Sequence, residues 1–312
     1  MIAPLAAALV RDHGLSIVPG ARVNEVRLGA RGDGGQARVS GLSYVDAGGA
    51  ERELAGLDAC VLALGSKGMR AVVSGSADLA RECPELSRAA ALGAIDVVSV
   101  RLWLDRRVVL DKPANVFSRM PGLRGAGCSF FMLDALQPDE RHLWGGADPQ
   151  GSVLACDLYN AGALAPLSDD DIVGLLLDEL LPCASAAFAG ARAVDAHVAR
   201  LAQAVSWFSP GSFRARPPLE TSVPNLVCAG DWVRMGAREH GAKGLCQERA
   251  FVSGIEAANA LARAGALGPA RRRQHRVLPV RPDESQLEAA RAANRALMGA
   301  LAPFGLASPW VR

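Results

Sequence analysis

The stretch Val223–Ala260 reads VPNLVCAGDWVRMGAREHGAKGLCQERAFVSGIEAANA, and its reading decides the fold. Asn225–Ala229 has the length and apolar character of a buried strand. Gly230-Asp231 stops it abruptly. A glycine-rich loop follows, and then residues at helical spacing. An acid at a strand end beside a helix N-terminus suits a sugar-phosphate ligand. The carboxylate accepts hydrogen bonds from a polyol. The free N–H groups and positive dipole end of the helix face phosphate or a polarised carbonyl.

The rest of the chain sets the frame for this motif. Its 312 residues are enough for one large or two modest domains. Half of them are hydrophobic and the net charge is only +2, which gives no electrostatic footprint for nucleic acid. Seven cysteines (Cys60, Cys83, Cys128, Cys156, Cys183, Cys228, Cys246) are scattered without a CxxC. Their odd count and the apolar neighbours of Cys60 and Cys228 predict reduced, buried thiols. The five histidines show no metal-ligand spacing, so no metal site is expected. No apolar run is long enough to span a bilayer. The opening IAPLAAALVRDHG predicts an amphipathic helix stopped by Gly14, not a signal peptide.

Strands are expected at Leu15–Val18 and Ala21–Leu28. A hairpin is expected from Ala37–Val45 to Glu51–Leu54 across Asp46-Ala47-Gly48-Gly49. The apolar run Ala59–Leu64 reads as a strand covered on both faces. From Asp96 the texture changes to an antiparallel sheet, with strands at Asp96–Leu104, Val108–Leu110, Ser129–Leu133, Gly151–Leu158 and Val194–Leu201. Ser168–Leu181 reads as a helix capped by Ser168, favoured by Asp169–Asp171 in its first turn and ended by Pro182. A Pro- and Gly-rich loop (Ser209–Pro218) leads back to the opening motif, and a final helix is expected around Asp283–Leu301.

The block Asn225-Leu226-Val227-Cys228-Ala229-Gly230-Asp231 matches an "NL-x-x-AGD" pattern, and Gln247–Gly254 is similar to an "EGA-x-x-SG" helix start. Together they resemble the C-terminal FAD-binding motif of the flavin amine oxidase and carotenoid desaturase superfamily. The resemblance implies that Asp231 bonds the ribityl chain of FAD. It implies that the backbone at Gln247 approaches the flavin pyrimidine carbonyl, and that Glu248 is the helix-start acid. Gly230, Trp232 and Ala250 belong to the same cofactor-binding block. Val23, in Ala21–Val26, resembles an edge-strand valine whose backbone binds adenine; a plain core valine is the other reading. Ala59–Gly65 resembles the strand beneath the pyrophosphate, which adds Ala63 and Gly65. The chain departs from the pattern in two places. Arg249 stands where the family has glycine, and the Arg234–Gly244 loop is long.

The middle of the chain is similar to the substrate-domain signatures of carotenoid desaturases: Val100–Val108, Gly151–Ala161, Ser168–Pro182 and Phe208–Pro217. The expected fold is therefore α/β (α+β when both parts are counted). Residues 1–95 would form part of an FAD-binding layer and 96–212 an antiparallel substrate domain. Residues 213–312 would be the returning segment of the first layer with a C-terminal helix. No GxGxxG lies between a strand and a helix, because the clusters Gly29–Gly35 and Gly122–Gly127 do not form one. The pyrophosphate loop is thus expected to lie outside these residues, and the chain alone is expected to hold FAD poorly.

The implied activity is an FAD-dependent oxidoreductase of the carotenoid-desaturase type, taking hydride from a small apolar, carotenoid- or isoprenoid-like substrate. Two alternatives stand beside it. One is an amine oxidase, with Trp207 or Trp232 lining the flavin. The other is a fragment inactive without a missing half. No catalytic base is identified. His240 is either a surface histidine or a proton donor in the long loop. The basic run Arg271–Arg276 is either a solvated linker or a contact with an anionic membrane surface. The family implies a plastid or a cytoplasm.

Overall fold

The computed structural model describes residues 2–29, 35–137, 139–236, 246–268, 273–278 and 284–306. Helix α1 (Ile2–His13) opens the chain and buries none of its residues. Gly14, at φ +67°, ends it. The strand expected at Leu15–Val18 does not form, and Leu15, Ile17 and Val18 remain exposed. No strand among the described residues pairs with this segment.

Strands β1 (Arg22–Gly29), β2 (Arg38–Val45) and β3 (Glu51–Ala55) make an antiparallel sheet in that order. The β2–β3 turn is built on Asp46. Its Oδ1 accepts from the Gly48 and Ala50 N–H groups at 3.0 Å, and its Oδ2 holds Arg52 Nε at 2.9 Å. Strand β4 (Cys60–Leu62) keeps three residues of the apolar run that follows. Helices α2 (Ser66–Gly75), α3 (Ala77–Glu82) and α4 (Pro84–Ala90) come next, where the sequence reading placed no element. Helix α2 meets β1 through Gly75, where a Cβ would sit 2.1 Å from the Asn24 carbonyl oxygen. Ser76 Oγ ties the same junction: it accepts from Val26 N at 2.9 Å and donates to Val72 O at 2.7 Å.

The second sheet begins at β5 (Ala94–Leu104), followed by β6 (Ala114–Phe117) and β7 (Gly127–Met132). Short helices α5 (Leu133–Leu136) and α6 (Glu140–Leu143) lead to β8 (Val153–Tyr159). The expected strand at Val108–Leu110 is absent. The Val108 N–H goes to Ser152 Oγ at 3.0 Å instead of to a ladder, and the strand forms later, at β6. Helix α7 (Asp169–Gly174) carries a capping box: Ser168 Oγ accepts from Asp171 N at 3.1 Å, and Asp171 Oδ2 accepts from Ser168 N at 3.3 Å. Pro182 does not end the helix. Leu175–Leu180 widens into a π turn, and α8 (Leu181–Ala184) follows it directly with Pro182 as its second residue. Strand β9 (Ala193–Ser206) completes an antiparallel sheet of order β6-β7-β8-β5-β9.

The chain then returns through β10 (Leu226–Cys228), α9 (Gln247–Arg263) and α10 (Ser285–Leu301), the last burying none of its residues. β10 runs parallel to β4, with Leu226 opposite Cys60 and Cys228 opposite Leu62. Contrary to expectation the Ala59–Leu64 run is not covered on both faces. Leu62 is buried, but Val61, which points to the opposite face of the strand, is 45% exposed. Asn225, just ahead of β10, is buried and works as a strand substitute. Its Oδ1 accepts from Val39 N at 2.8 Å, and its Nδ2 donates to Val39 O at 2.9 Å and to Asp58 O at 3.0 Å.

Two apolar clusters fill this α/β frame. The first joins residues of 26–90 to residues of 219–266, including Met69, Leu79, Leu226 and Trp232. The second is drawn from 98–188, with Phe130 set between Phe117 and Phe188.

Candidate functional site

The C-terminal end of β10 is where the chain can hold a ligand. Gly230 takes φ +133°, a region open to glycine and strained for other residues. Its N–H donates to Ser253 Oγ at 2.7 Å, and that hydroxyl donates in turn to Ala250 O at 2.7 Å. The serine of the helix motif thus ties the strand end to the second turn of α9. Val233 N donates to Gly230 O at 3.2 Å and closes a turn that carries Asp231 and Trp232. Trp232 is buried, and its indole N–H donates to Leu64 O at 2.8 Å, which locks the β4 end to the β10 end.

A cavity of about 470 Å³ opens above this turn. Its walls include Ala63, Leu64 and Gly65 after β4, then Gly230, Asp231 and Trp232, and then Cys246, Gln247 and Ala250 at the start of α9. Gly65 is the N-cap of α2, with extended backbone and no side-chain cap, so the first N–H groups of that helix have no intrahelical partner. Ser66 Oγ, buried beside it, has no hydrogen-bond partner among the described residues. The N-cap of α9 is Cys246, whose Sγ accepts from Arg249 N at 3.3 Å. Two helix starts therefore converge on one cavity, with the Asp231 carboxylate in its wall.

That carboxylate is half-buried. Burial pushes the Asp231 carboxyl above its ordinary range. The N–H groups of Asp231 and Trp232 and the charges of Arg249 and Arg216 oppose the shift. Arg249 is 1% exposed and reaches back across the turn: Nε donates to Asp231 O and Nη2 to Val233 O, each at 2.6 Å. Arg216 lies 3.5 Å over the Phe208 ring.

The remaining wall comes from β9, which the sequence reading did not connect with the site. Ala204, Val205 and Ser206 line the cavity. They are delivered there by a bulge: Val97 pairs with Leu201, but Ile95 pairs with Val205. Gln203 sits in the bulge at φ +51°. Its N–H donates to Asp96 Oδ1 at 2.7 Å, and its Oε1 accepts from Arg70 Nη1 at 3.2 Å. Bulges gather beside active sites because they re-aim a strand locally. Nothing in the local pattern Ala202-Gln203-Ala204 marks one.

Seven of the nine expected cofactor residues line this one cavity: Ala63, Gly65, Gly230, Asp231, Trp232, Gln247 and Ala250. Two do not. Val23 lies on β1 opposite Tyr44 and packs against the first core. Glu248 is exposed in the first turn of α9, outside the lining. Trp207 is half-exposed and does not line the cavity either. His240, most of the Arg234–Gly244 loop, and Arg271 and Arg272 lie outside the described residues. Among the described residues, no three metal-ligating side chains gather, and no helix is long and apolar enough to cross a membrane.

The donor set fits a flavin nucleotide: a half-buried carboxylate for a polyol, open helix N–H groups for anionic or polarised oxygens, and apolar walls for a ring. Comparison with curated proteins finds no match. Among solved structures the chain is similar to a protein assigned as a protoporphyrinogen oxidase from Exiguobacterium sp. 255-15, at 15% identity and a TM-score of 0.47, covering 79% of this chain and 46% of that one. An oxidoreductase from Methanosarcina mazei gives 15% identity and a TM-score of 0.43, covering 76% and 48%. Aklavinone-11 hydroxylase, in complex with FAD and aklavinone, gives 16% and 0.42, covering 85% and 41%. The chain thus spans less than half the length of each of these structures, and likenesses this distant carry no functional argument. The family assignment rests on sequence instead. Residues 2–262 match the model of the flavin containing amine oxidoreductases, and the chain belongs to that family.

Proposed function

We propose that the cavity holds the flavin end of FAD and that the chain carries the flavin-binding and substrate-facing parts of an FAD-dependent oxidoreductase. The observation behind this reading is the convergence of seven motif residues, distant in sequence, on one cavity of about 470 Å³. Asp231 would accept hydrogen bonds from the ribityl hydroxyls. The start of α9 at Gln247 would face the polarised pyrimidine edge, with the helix dipole favouring negative charge there. The free N–H groups at Gly65 and the first turn of α2 would face anionic oxygens. When bound, FAD supplies the two-electron acceptor, and the protein supplies position and exclusion of water.

The substrate proposed is apolar, of carotenoid or isoprenoid type. Asp231 is the only carboxylate in the lining among the described residues, and Leu64, Ala204, Val205 and Ala250 present hydrocarbon. An amine substrate is the weaker reading, since among the described residues Trp232 alone brings an aromatic ring to the wall, and it is held by its bond to Leu64 O. A division into a flavin layer (1–95 and 213–312) and a substrate domain (96–212) is part of the same proposal. So is peripheral contact with an anionic membrane, through which an apolar substrate would be reached. The test is an FAD titration of the chain, followed by flavin absorbance and fluorescence, beside Asp231→Ala. Weakening by about tenfold is expected from the loss of charge-assisted hydrogen bonds. Equal affinity for both proteins would place the flavin elsewhere.

One observation favours a second reading, in which this chain works as part of a larger flavoprotein fold. β10 is bordered on both sides, by β4 and by the Leu219–Glu220 segment, where Cys228 N donates to Leu219 O at 2.9 Å. β4 has no strand on its far side among the described residues, and its Val61 side chain stands exposed on one face. Parallel strands are normally covered, and an open apolar edge pairs with other chains. Val61→Lys should therefore reduce concentration-dependent association of the chain in light scattering. Identical scattering from both proteins would mean that the edge takes no strand.

A further inference from the structure

Arg249 is in a position that works against it twice. It is the third residue of α9, where a cation opposes the helix dipole. It is also 1% exposed, and a buried guanidinium is costly to desolvate. The motif that this segment resembles has glycine there. What the arginine gains is visible in its bonds. One guanidinium spans two carbonyls, Asp231 O and Val233 O, at 2.6 Å each. Those carbonyls bracket Trp232, so the fork straddles the whole turn that faces the cavity. Four residues on, on the same side of α9, Ser253 Oγ accepts from Gly230 N at 2.7 Å. The helix therefore grips the strand end at both ends of the turn, and Arg249 provides the outer grip.

We propose that Arg249 is a positioning residue of the flavin site: by bridging the Asp231 and Val233 carbonyls it fixes the turn from which the Asp231 carboxylate meets the ligand's polyol. Arginine suits this task because its planar fork reaches two acceptors at a fixed spacing, which an ammonium cannot do. The inference takes its ligand from the flavin reading above and its geometry from the protein without ligand. The two can fail separately.

The ligand-free protein is tested first. Hydrogen exchange at the Val233 amide, which closes the turn onto Gly230 O, is compared in the unaltered chain and Arg249→Met. Methionine keeps an apolar stem and removes the donors and the charge. Faster exchange at Val233, with unchanged protection at Val98 and Leu154 in the second sheet, is expected. Unchanged exchange at Val233 overturns the proposal whether or not FAD binds. FAD affinity is then measured for the unaltered chain, R249M, D231A and the double variant. If Arg249 acts through Asp231, R249M loses about tenfold or more, and adding it to D231A costs little further. Full additivity, or unaltered affinity in R249M, overturns the proposal. If R249M does not fold, Arg249→Lys takes its place in both measurements. It retains the charge but not the fork, so faster exchange and weaker binding are still expected, and behaviour like that of the unaltered chain overturns the proposal.

Discussion

Asp231 faces two opposed demands. A carboxyl accepts hydrogen bonds from a polyol most strongly when ionised, yet its burial favours the protonated form. In the folded, ligand-free protein the carboxyl holds its proton more tightly than in the unfolded chain. Its contribution to stability is therefore present at low pH and is lost as pH rises through the raised pKa. Asp231→Asn removes that loss. The ligand-free variant should melt above the unaltered protein at neutral pH, and the difference should vanish below the ordinary aspartate value of 3.8. FAD affinity should fall in the same variant. Thermal melts from acid to neutral pH check the first part, and a variant less stable at neutral pH would show that the carboxylate is a structural partner instead. Asp231 and Gly230 were legible in the sequence because turn chemistry is local. Asn225 and Arg249 were not legible in their roles. Asn225 serves Val39, 186 residues away, and Arg249 clasps a turn 16 to 18 residues upstream.

At the scale of elements, the cavity depends on a strand that does not run straight. The β9 bulge brings Ala204–Ser206 to the wall, and Asp96 holds it by accepting from Gln203 N. Asp96→Ala should cost about 0.5–1.5 kcal/mol, the usual worth of one such bond. It should also weaken FAD binding, because the released bulge no longer aims its residues at the cavity. Denaturant melts paired with FAD titration check this, and lost stability with unaltered affinity would uncouple the bulge from the site. The hairpin at Asp46 and the cap at Ser168 were legible because their signals are short-range. The strand at Leu15–Val18 was misread because alternation of apolar residues cannot report whether a partner edge exists. Val108–Leu110 was misread because a serine hydroxyl, contributed by Ser152, replaced the ladder. The β9 bulge carries no composition signal of its own.

At the scale of the molecule, the cysteines report both the packing and the cavity. Cys83, Cys128, Cys156 and Cys228 are buried and Cys60 is half-buried, while Cys183 and Cys246 are exposed. Burial pushes Cys60 and Cys83 up to about 11 and Cys128 to about 12, and it raises Cys156 and Cys228 as well. A thiol with a pKa near 11 is only about a thousandth ionised at pH 8, and the thiolate is the reactive form. Native alkylation at pH 8, mapped by mass spectrometry, should therefore label Cys183 and Cys246 quickly and leave the other five until the protein is unfolded. Cys246 also lines the cavity, whereas Cys183 follows Pro182 in the first turn of α8, away from it. Bound FAD should then slow labelling at Cys246 and leave Cys183 as the internal control. If saturating FAD leaves both rates unchanged, the flavin does not occupy the cavity at the start of α9. Equal slowing at both sites would instead report a general tightening of the fold, with no evidence for that cavity.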